Sequence, residues 1–183
     1  MADTQRSLAA IIALLANNTA GDISAQDMRD VVETLRMRAG QLSIPEVAAA
    51  DVVITDTTTY FEVTAPAWTA FAGNDGFDES DGNGRLTYIG VADVMLHVAC
   101  TVSVSCASVN QVLHIILAKN GTVDDASEVI LKLGTGGDQR STALHLIASV
   151  ASGDHISVKI RNATSATNVR FECANLQAVS MPK

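Results

Sequence analysis

Residues 94–106 alternate without a break between two sets of side chains. The first set is apolar throughout and consists of Val94, Leu96, Val98, Cys100, Val102, Val104 and Cys106. The second set is mixed and consists of Met95, His97, Ala99, Thr101, Ser103 and Ser105. Successive side chains of a β-strand point to opposite faces of its sheet, so this period of two predicts one long strand with one face in an apolar core.

Further strand-like runs follow one another through the rest of the chain. They cover residues 52–55, 59–64, 85–90, 112–120, 128–133, 142–150, 155–160 and 169–180. Turns that contain glycine, at 81–84, 134–137 and 152–154, separate several of these runs. Many short strands with frequent turns and no helix between them predict a mainly β fold, an antiparallel jelly-roll sandwich.

Two short amphipathic helices are predicted before residue 40. Their apolar residues recur at i, i+3, i+4 and i+7, and these are Leu8, Ile11, Ile12 and Leu15, then Met28, Val31, Val32 and Leu35. Gly21 indicates a joint between the helices, and Ser24 followed by Asp27 fits a weak capping box. We therefore expect a helical hairpin over residues 1–40, a linker over residues 41–51 marked by Pro45, and the jelly roll over residues 52–183.

A pair of helices this short buries too little apolar surface to be stable alone. Its apolar stripes are expected to cover the β-domain, the hairpin of a sister subunit, or a different protein. A DNA-reading helix-turn-helix is disfavoured because Arg29 and Arg36 are interleaved with Asp27, Asp30 and Glu33, which leaves no basic face.

Two of the strand runs are apolar on both alternating sets. In the first, Val112, His114 and Ile116 alternate with Leu113, Ile115 and Leu117, and the second is the run over residues 143–150. A strand that is apolar on both sides of an antiparallel sandwich implies that its outer face is covered as well. Self-association is the simplest way to cover it.

The charge distribution argues against nucleic-acid binding. The formal net charge is −8, acidic residues are concentrated over residues 45–93, and Arg85 is the only base in that segment. Nucleic-acid binding requires clustered Lys and Arg, and the sequence has no such cluster. No stretch approaches the roughly 20 apolar residues that cross a bilayer, so no membrane contact is expected. The three cysteines, Cys100, Cys106 and Cys173, occupy apolar strand positions and are expected to be buried free thiols.

Three histidines lie on three different predicted strands. His97, His114 and His145 each belong to the less apolar set of their strand. They could converge as metal ligands, one of them could surround a threefold axis in a trimer, or they could serve as hydrogen-bonded polar groups in an interface. Nearby carboxylates that would orient metal-bound imidazoles are missing from these runs, so we expect an interface role and no metal.

The acidic stretch over residues 79–90 partly matches a calcium-binding loop. Glu79, Asp81 and Asn83 occupy its first, third and fifth positions and Gly84 its sixth, but Gly90 stands where the bidentate Glu is required. A tight turn that enters a strand explains the same residues, and a loosely bound divalent ion is the alternative.

Catalytic motifs are missing from the sequence. It has no G-x-S-x-G elbow, and the glycines over residues 134–137 form neither a dinucleotide-binding pattern nor the start of a helix. We therefore expect no enzyme and no cofactor.

Two parts of the chain resemble known protein groups. The segment ALLANNTAGDISAQDMRDVVETL resembles a short helical motif of bacteriophage virion proteins, in which it precedes a β-rich module. The β-region from GRLTYIGVADVMLHVACTVSVSC through SGDHISVKI to NVRFECANLQAVS is similar to jelly rolls of the tumour-necrosis-factor and complement type. The second resemblance implies a homotrimer packed around a threefold axis, and the first implies attachment to a virion protein.

Together these features predict a viral structural protein. The expected role is a homotrimeric capsid decoration or cement subunit of the head-fibre type, made in the host cytoplasm and bound to the major capsid protein on the outer capsid surface through the helical residues named above. The alternative is a tail-fibre module that recognises a host surface ligand. Its expected aromatic contacts are Trp68, Phe71, Phe77 and Tyr88, although the same residues could close the ends of the sandwich.

Overall fold

The structure is a computed structural model, and it describes residue 6 and residues 8–16, 23–64, 68–79 and 82–182. The two α-helices are α1 (Leu8–Ala16) and α2 (Ala25–Leu35). The strands are β1 (Ala39–Ile44), β2 (Ala50–Val52), β3 (Phe61–Glu62), β4 (Thr69–Ala70), β5 (Phe77–Asp78), β6 (Leu86–Tyr88), β7 (Val94–Ser105), β8 (Gln111–Lys119), β9 (Thr122–Val123), β10 (Val129–Leu133), β11 (Gln139–Val150), β12 (His155–Asn162) and β13 (Val169–Pro182). Short 3₁₀ helices occupy Glu46–Ala48 and Asp125–Ser127.

The strands form two antiparallel sheets that enclose one core. Sheet 1 has the order β11-β7-β13-β1-β4, with β2 also paired to β13. Sheet 2 has the order β10-β8-β12-β6-β5, with β3 paired to β12 and β9 to β8. The long strands pair in a nested way, β7 with β13 and β8 with β12, which is the arrangement of a jelly roll. The predicted antiparallel sandwich is therefore confirmed.

The alternation of residues 94–106 sets the position of β7 in the core. Leu96, Val98, Cys100, Val102 and Val104 are each at most 2% exposed and belong to the core cluster, which both sheets line. The side chains between them point away from the core, because strand side chains alternate between faces and no bulge interrupts the pairing of β7 with β11 from Val94 to Ser105. The sequence pattern thus predicted both the strand and its buried face.

The end of the predicted hairpin and the start of the predicted linker lie inside the sandwich. Residues 39–44 form β1, which pairs with β13 from Ala39–Val179 to Ile44–Ala174. Leu42 and Ile44 are each 1% exposed, and Gly40 lies so close to Phe77 that a Cβ atom there would be 2.6 Å from the Cγ of the ring. The sequence suggests a linker because of Gly40 and Pro45, but pairing with a long central strand makes residues 39–44 a strand in spite of the low strand propensity of Gly40.

A β-bulge in β13 changes the direction of the side chains that follow it. Phe171 pairs with Val104 and Cys173 pairs with Ser103, so Glu172 is an extra residue with no counterpart on β7. Phe171 and Ala174 therefore both face the core, and Cys173 is exposed. The prediction that all three thiols are buried holds for Cys100 and Cys106 and is wrong for Cys173.

Helix α2 begins at the capping box that the sequence predicts. The Ser24 hydroxyl accepts a hydrogen bond from the Asp27 backbone N–H at 3.1 Å, and the Asp27 carboxylate accepts one from the Ser24 backbone N–H at 3.0 Å. The Ser24 hydroxyl also donates to the Asp27 carboxylate at 2.7 Å, and this bond, together with the one from the Ser24 backbone N–H, holds the pKa of Asp27 below its usual value. The predicted joint over residues 17–22, including Gly21, lies outside the described residues. Neither α1 nor α2 is long and apolar enough to cross a bilayer.

The end of α2 is tied to the sandwich by four charged side chains. Arg38, on the segment between α2 and β1, forms ion pairs with Glu33 of α2 and with Asp75 at 3.3 Å. Arg36 contacts the other Asp75 oxygen at 2.9 Å. The Arg38 side chain is only 11% exposed, and its backbone N–H donates to the Ser180 hydroxyl at 2.8 Å. The cluster therefore links α2 to β13 and to the loop before β5.

Removing residues 1–36 is expected to leave the sandwich folded, whereas removing residues 1–44 is expected to destabilise it severely. The shorter deletion loses the helices and partly exposed ion pairs worth on the order of 1 kcal/mol or less each. The longer deletion also removes Leu42 and Ile44 from the core, at a cost of about 2–5 kcal/mol each. Urea unfolding followed by circular dichroism measures the difference. Equal midpoints for the two deletions would mean that β1 adds nothing to stability.

Candidate functional site

The central part of the outward face of sheet 1, across its four main strands, contains no formally charged residue among those that the structure describes. We call this surface the neutral face. Its members alternate with the buried positions of β1, β7, β11 and β13, and they are Gln41, Ser43, Met95, His97, Ala99, Thr101, Ser103, Ser141, Ala143, His145, Ile147, Ser149, Cys173, Asn175, Gln177, Val179 and Met181. Solvent-exposed protein surfaces ordinarily carry many Lys, Arg, Glu and Asp side chains. A face of this extent without any is typical of a surface that another protein covers.

Charged residues stand at both ends of the neutral face. At one end, Glu172 accepts a hydrogen bond from the Ser105 hydroxyl at 2.6 Å and contacts Arg170 at 3.3 Å. At the other end, Lys119 contacts Asp154 at 2.7 Å and donates to the Ser149 carbonyl, also at 2.7 Å. An uncharged centre with a charged rim is the usual anatomy of a protein–protein interface.

A shallow groove of about 470 Å³ crosses the neutral face where β11, β7 and β13 run side by side. It is lined mainly by small side chains, including Thr101, Ser103, Ser141, Ala143, Cys173 and Asn175. Ser103 is 5% exposed within one chain, and Gln139 and Ser141 both donate hydrogen bonds to its hydroxyl, at 2.8 and 3.1 Å. The groove holds no charged group that would fix a charged ligand.

Two of the predicted histidines lie together on the neutral face. The rings of His97 and His145 are nearly parallel, with an interplanar angle of 13° and centroids 5.7 Å apart. The pair is diagonal across the β7–β11 ladder, because His97 is opposite Ile147 and His145 is opposite Ala99. Both imidazoles are exposed in the single chain.

The third predicted histidine is on the other side of the sandwich. His114 lies on β8 of sheet 2, where its Nδ1 is 2.8 Å from Glu128 and 3.1 Å from Nη2 of Arg161. The three histidines therefore do not converge, and an interface through the neutral face would not contain His114. Among the residues that the structure describes, no group of three or more His, Cys, Asp or Glu side chains could hold a metal ion.

The surroundings of His114 form a compact polar cluster. Tyr60 donates a hydrogen bond to Glu128, and the Arg161 guanidinium lies 4.8 Å above the centre of the Tyr60 ring. Burial, reinforced by the bond to Glu128, raises the pKa of Tyr60 to about 12. The hydrogen bond from Tyr60 and the contact with His114 hold the pKa of Glu128 below its usual value. The buried Nε of Arg161 has no hydrogen-bond partner among the described residues. The contacts of the cluster tie the start of β10 to the segment before β3.

The second apolar set of β8 is covered by the chain itself. Ile116 and Ala118 point away from the core of the sandwich, yet each is 0% exposed in the single chain. On β11, by contrast, Ala143 and His145 are exposed and Ile147 is 62% exposed. The outward apolar side chains of β8 are therefore covered by the chain itself, whereas those of β11 are uncovered.

Helix α2 buries polar residues and exposes its apolar stripe. Asp30 and Thr34 are 1% and 7% exposed, whereas Met28, Val32 and Leu35 on the opposite side of the helix are 50%, 66% and 49% exposed. Arg6 explains this orientation. Its side-chain Nε donates to Asp30 at 2.7 Å, and its backbone N–H donates to the Thr34 hydroxyl at 2.7 Å.

The remaining predicted anchor residues divide between the two environments. Val31 is half-buried, Ile11 is 4% exposed and Ile12 is 58% exposed. The side chains of Leu8 and Leu15 lie outside the described residues. Among the anchor side chains that the structure describes, the exposed ones are therefore Ile12, Met28, Val32 and Leu35.

In the acidic stretch over residues 79–90, the described residues from 82 onward bend and then enter β6. Asp81 lies outside the described residues, and the segment after Gly84 continues as a strand rather than a helix. Gly84 has φ = +73°, a conformation that favours glycine. A Cβ atom at this position would also collide with the Trp68 indole, so glycine allows the backbone to pack against Trp68.

The predicted aromatic group does not form a surface platform. Phe77 and Tyr88 are 5% and 0% exposed and pack edge to face in the core with centroids 5.6 Å apart. Trp68 is partly buried and donates its indole N–H to the Val63 carbonyl at 2.7 Å. Phe71 is 56% exposed. Most of the group therefore closes the sandwich.

The strand order defines the chain as a jelly-roll β-sandwich with helices before its first strand. Eiger TNF from S. frugiperda aligns with 79% of this chain and 92% of its own at 11% identity and a TM-score of 0.49. Murine APRIL aligns with 80% of this chain and 100% of its own at 13% identity and a TM-score of 0.47. No family model matches the chain, and the search of curated proteins finds no match. The assignment of the fold therefore depends on the strand order of the chain itself.

Sequence reasoning missed two features of these surfaces. Cys173, Asn175 and Gln177 join the neutral face because of the bulge at Glu172, which the residue pattern does not indicate. The burial of Asp30 depends on Arg6, which lies 24 residues away in the sequence. One signal of the neutral face was present in the sequence, because residues 95–105 and 141–149 include no Lys, Arg, Asp or Glu.

Glu128→Gln is expected to lower the free energy of unfolding by about 1 kcal/mol at neutral pH. A carboxylate whose folded pKa is lowered adds stability above its unfolded pKa, and that stability disappears as the pH falls through the folded value. The difference from the unsubstituted protein should therefore shrink in acid. Urea midpoints at about pH 7 and about pH 3 test this, with exposed Glu46→Gln as the control. A difference that stays constant with pH would contradict an ionic role for Glu128.

Proposed function

We propose that the chain is a structural subunit of a virus particle that assembles as a homotrimer through the neutral face and decorates the outer capsid surface. The helices before β1 attach it to the major capsid protein. The absence of charge from the neutral face is the observation that carries this proposal, and the resemblance of residues 13–35 to a helical motif of bacteriophage virion proteins gives the particle as its setting.

The neutral face favours association between like copies. Burying a charged residue without a partner costs several kcal/mol, and a surface that meets a copy of itself brings like charges together near its symmetry axis. A face without formal charge avoids both costs. Its polar members, such as Gln177 and Asn175, carry amides that both donate and accept hydrogen bonds, so the same surface is able to complement itself. The number three comes from the resemblance to trimeric jelly rolls.

The exposed stripe of α2 supports attachment to a second protein. An amphipathic helix ordinarily turns its apolar side toward the core, whereas α2 turns Asp30 and Thr34 inward and leaves Met28, Val32 and Leu35 in solvent. Such a stripe fits an apolar groove on a partner. Three copies of it on one trimer would bind a symmetric capsid site with higher avidity than a single copy.

Recognition of a host surface ligand, the alternative function, has less support. It predicts an exposed group of aromatic side chains, but Phe77 and Tyr88 lie in the core and Trp68 is partly buried. Only Phe71 of that group is largely exposed.

Ile147→Lys is expected to weaken self-association by about a hundredfold or more, because the new charge would be buried without a partner in the assembly. Ile130→Lys is the matched control, since Ile130 is 58% exposed on sheet 2 and Ile147 is 62% exposed on the neutral face. Sedimentation velocity compares both variants with the unsubstituted protein. A single-chain species of 19.1 kDa in the unsubstituted protein would reject the assembly.

Thiol reactivity tests which surface the assembly covers. Cys173 is exposed in one chain, whereas Cys100 and Cys106 are buried. The native assembly is therefore expected to react slowly with a maleimide, and the Ile147→Lys variant to label quickly at Cys173. Fast labelling of Cys173 in an intact oligomer would place the contact elsewhere.

Replacing Val32 and Leu35 by Asp is expected to abolish binding to particles while leaving the oligomer intact, since both side chains are about half or more exposed in the single chain. Val47→Asp is the control, because Val47 is 97% exposed but lies outside α1 and α2, in the 3₁₀ helix Glu46–Ala48. Co-sedimentation with particles that lack the protein measures binding. Undiminished binding of the double variant would reject attachment through α2.

Copy number separates the two functions. Quantitative mass spectrometry of purified particles is expected to find the chain at hundreds of copies per particle, on the order of a capsid lattice, and electron microscopy should place it on the head. A few copies located at the tail would favour ligand recognition.

A further inference from the structure

The neutral face carries two imidazole side chains, those of His97 and His145. Imidazole is the side chain whose unperturbed charge change falls between about pH 5 and pH 8, and on this face it belongs to His97 and His145. The two rings are stacked with centroids 5.7 Å apart, so protonation of both would place two cations side by side. The remaining His side chains of the chain, His114 and His155, lie on strands of sheet 2.

No neighbouring carboxylate compensates for that charge. Beside the pair, β7 presents Met95, Ala99 and Thr101, β11 presents Ala143 and Ile147, and β13 presents Gln177 and Val179. Elements that pack against β11 from the other side or its edge, namely β8, β10 and the Asp125–Ser127 helix, carry the charged residues Lys119, Lys132 and Asp125. Among the described residues, we observe no hydrogen bond or ion pair between either imidazole and these three charged residues. The same holds for the charged residues at the ends of the neutral face, which pair with other groups.

We propose that His97 and His145 make the assembly pH-sensitive, so that acidification dissociates the subunits at the neutral face. This inference rests on the proposed function, because it requires like copies to cover that face. At neutral pH the uncharged imidazoles are compatible with a dry interface. At acidic pH each copy would bring two cations into it, and the threefold arrangement would bring several such pairs close together.

The sign of the effect follows from proton linkage. Dissociated chains expose both imidazoles to water, which stabilises the protonated form, whereas the assembly disfavours it. The dissociated state therefore binds more protons, and a falling pH shifts the equilibrium toward it. Two imidazoles per chain set the upper limit of two protons taken up per chain on dissociation.

Sedimentation equilibrium of the full chain at about pH 7.5 and about pH 5.5 tests the proposal, because most imidazoles gain their proton in this interval while carboxylates stay ionised. The variants are the double substitution His97→Gln with His145→Gln and, as the control, His155→Gln. We expect the dissociation constant of the unsubstituted protein and of the control to rise at least about tenfold on acidification. The double variant should remain associated at both pH values.

Each outcome separates this inference from the assembly itself. A single chain at about pH 7.5 would reject the proposed assembly and this inference with it. An oligomer that persists unchanged at the lower pH would reject the inference and leave the assembly standing. Equal dissociation of the unsubstituted protein and the double variant would assign the pH effect to other groups. If glutamine itself prevents association at the higher pH, His97→Asn and His145→Asn are tested singly, and either one must reduce the pH response for the inference to hold.

Discussion

The pairing of β7 with β11 on one side and with β13 on the other is the interaction on which the structure depends. This three-strand unit keeps one register with β11 from Val94 to Ser105 and shifts once against β13, at Glu172. Since side chains of a strand alternate between faces, a slip of one residue would exchange the two faces completely. The register that places Val98 and Cys100 in the core is thus the same one that places His97 and Ala99 on the neutral face.

The two surfaces that we assign to partners differ in their chemistry and in their origin. The neutral face is a broad, nearly uncharged β-surface, and it follows directly from the alternation of the long strands. The stripe on α2 is narrow and apolar, and it is exposed because Arg6 and Gln26 satisfy the carboxylate of Asp30 on the other side of the helix, at 2.7 and 2.8 Å. Removing a buried carboxylate from its partners costs several kcal/mol, so this pairing holds the helix in an orientation that leaves its apolar side free.

Prediction from the sequence succeeded where the local signal was long and regular. The strands β7, β8, β11, β12 and β13 each have a clear pattern, and the capping box at Ser24 begins α2 as expected. Short strands such as β4 and β9 have two residues each, too few to show a period, and β1 is rich in small and polar residues. These segments are strands because neighbouring strands supply their hydrogen bonds, which is information that the segment itself does not contain.

By itself, the sequence determined that the chain is a β-sandwich with amphipathic helices before it, because hydrophobic periodicity is a local property of consecutive residues. It also determined that residues 95–105 and 141–149, which supply much of the neutral face, carry no charge. Only the tertiary structure decided which side of each element is covered: Ile116 is buried by its own chain while Ile147 is open, Cys173 is turned outward by an extra residue, and His114 is separated from His97 and His145 by the thickness of the sandwich. These outcomes depend on contacts between residues far apart in the sequence. A bulge or a long-range ion pair determines them, and neither produces a recognisable pattern in the local sequence.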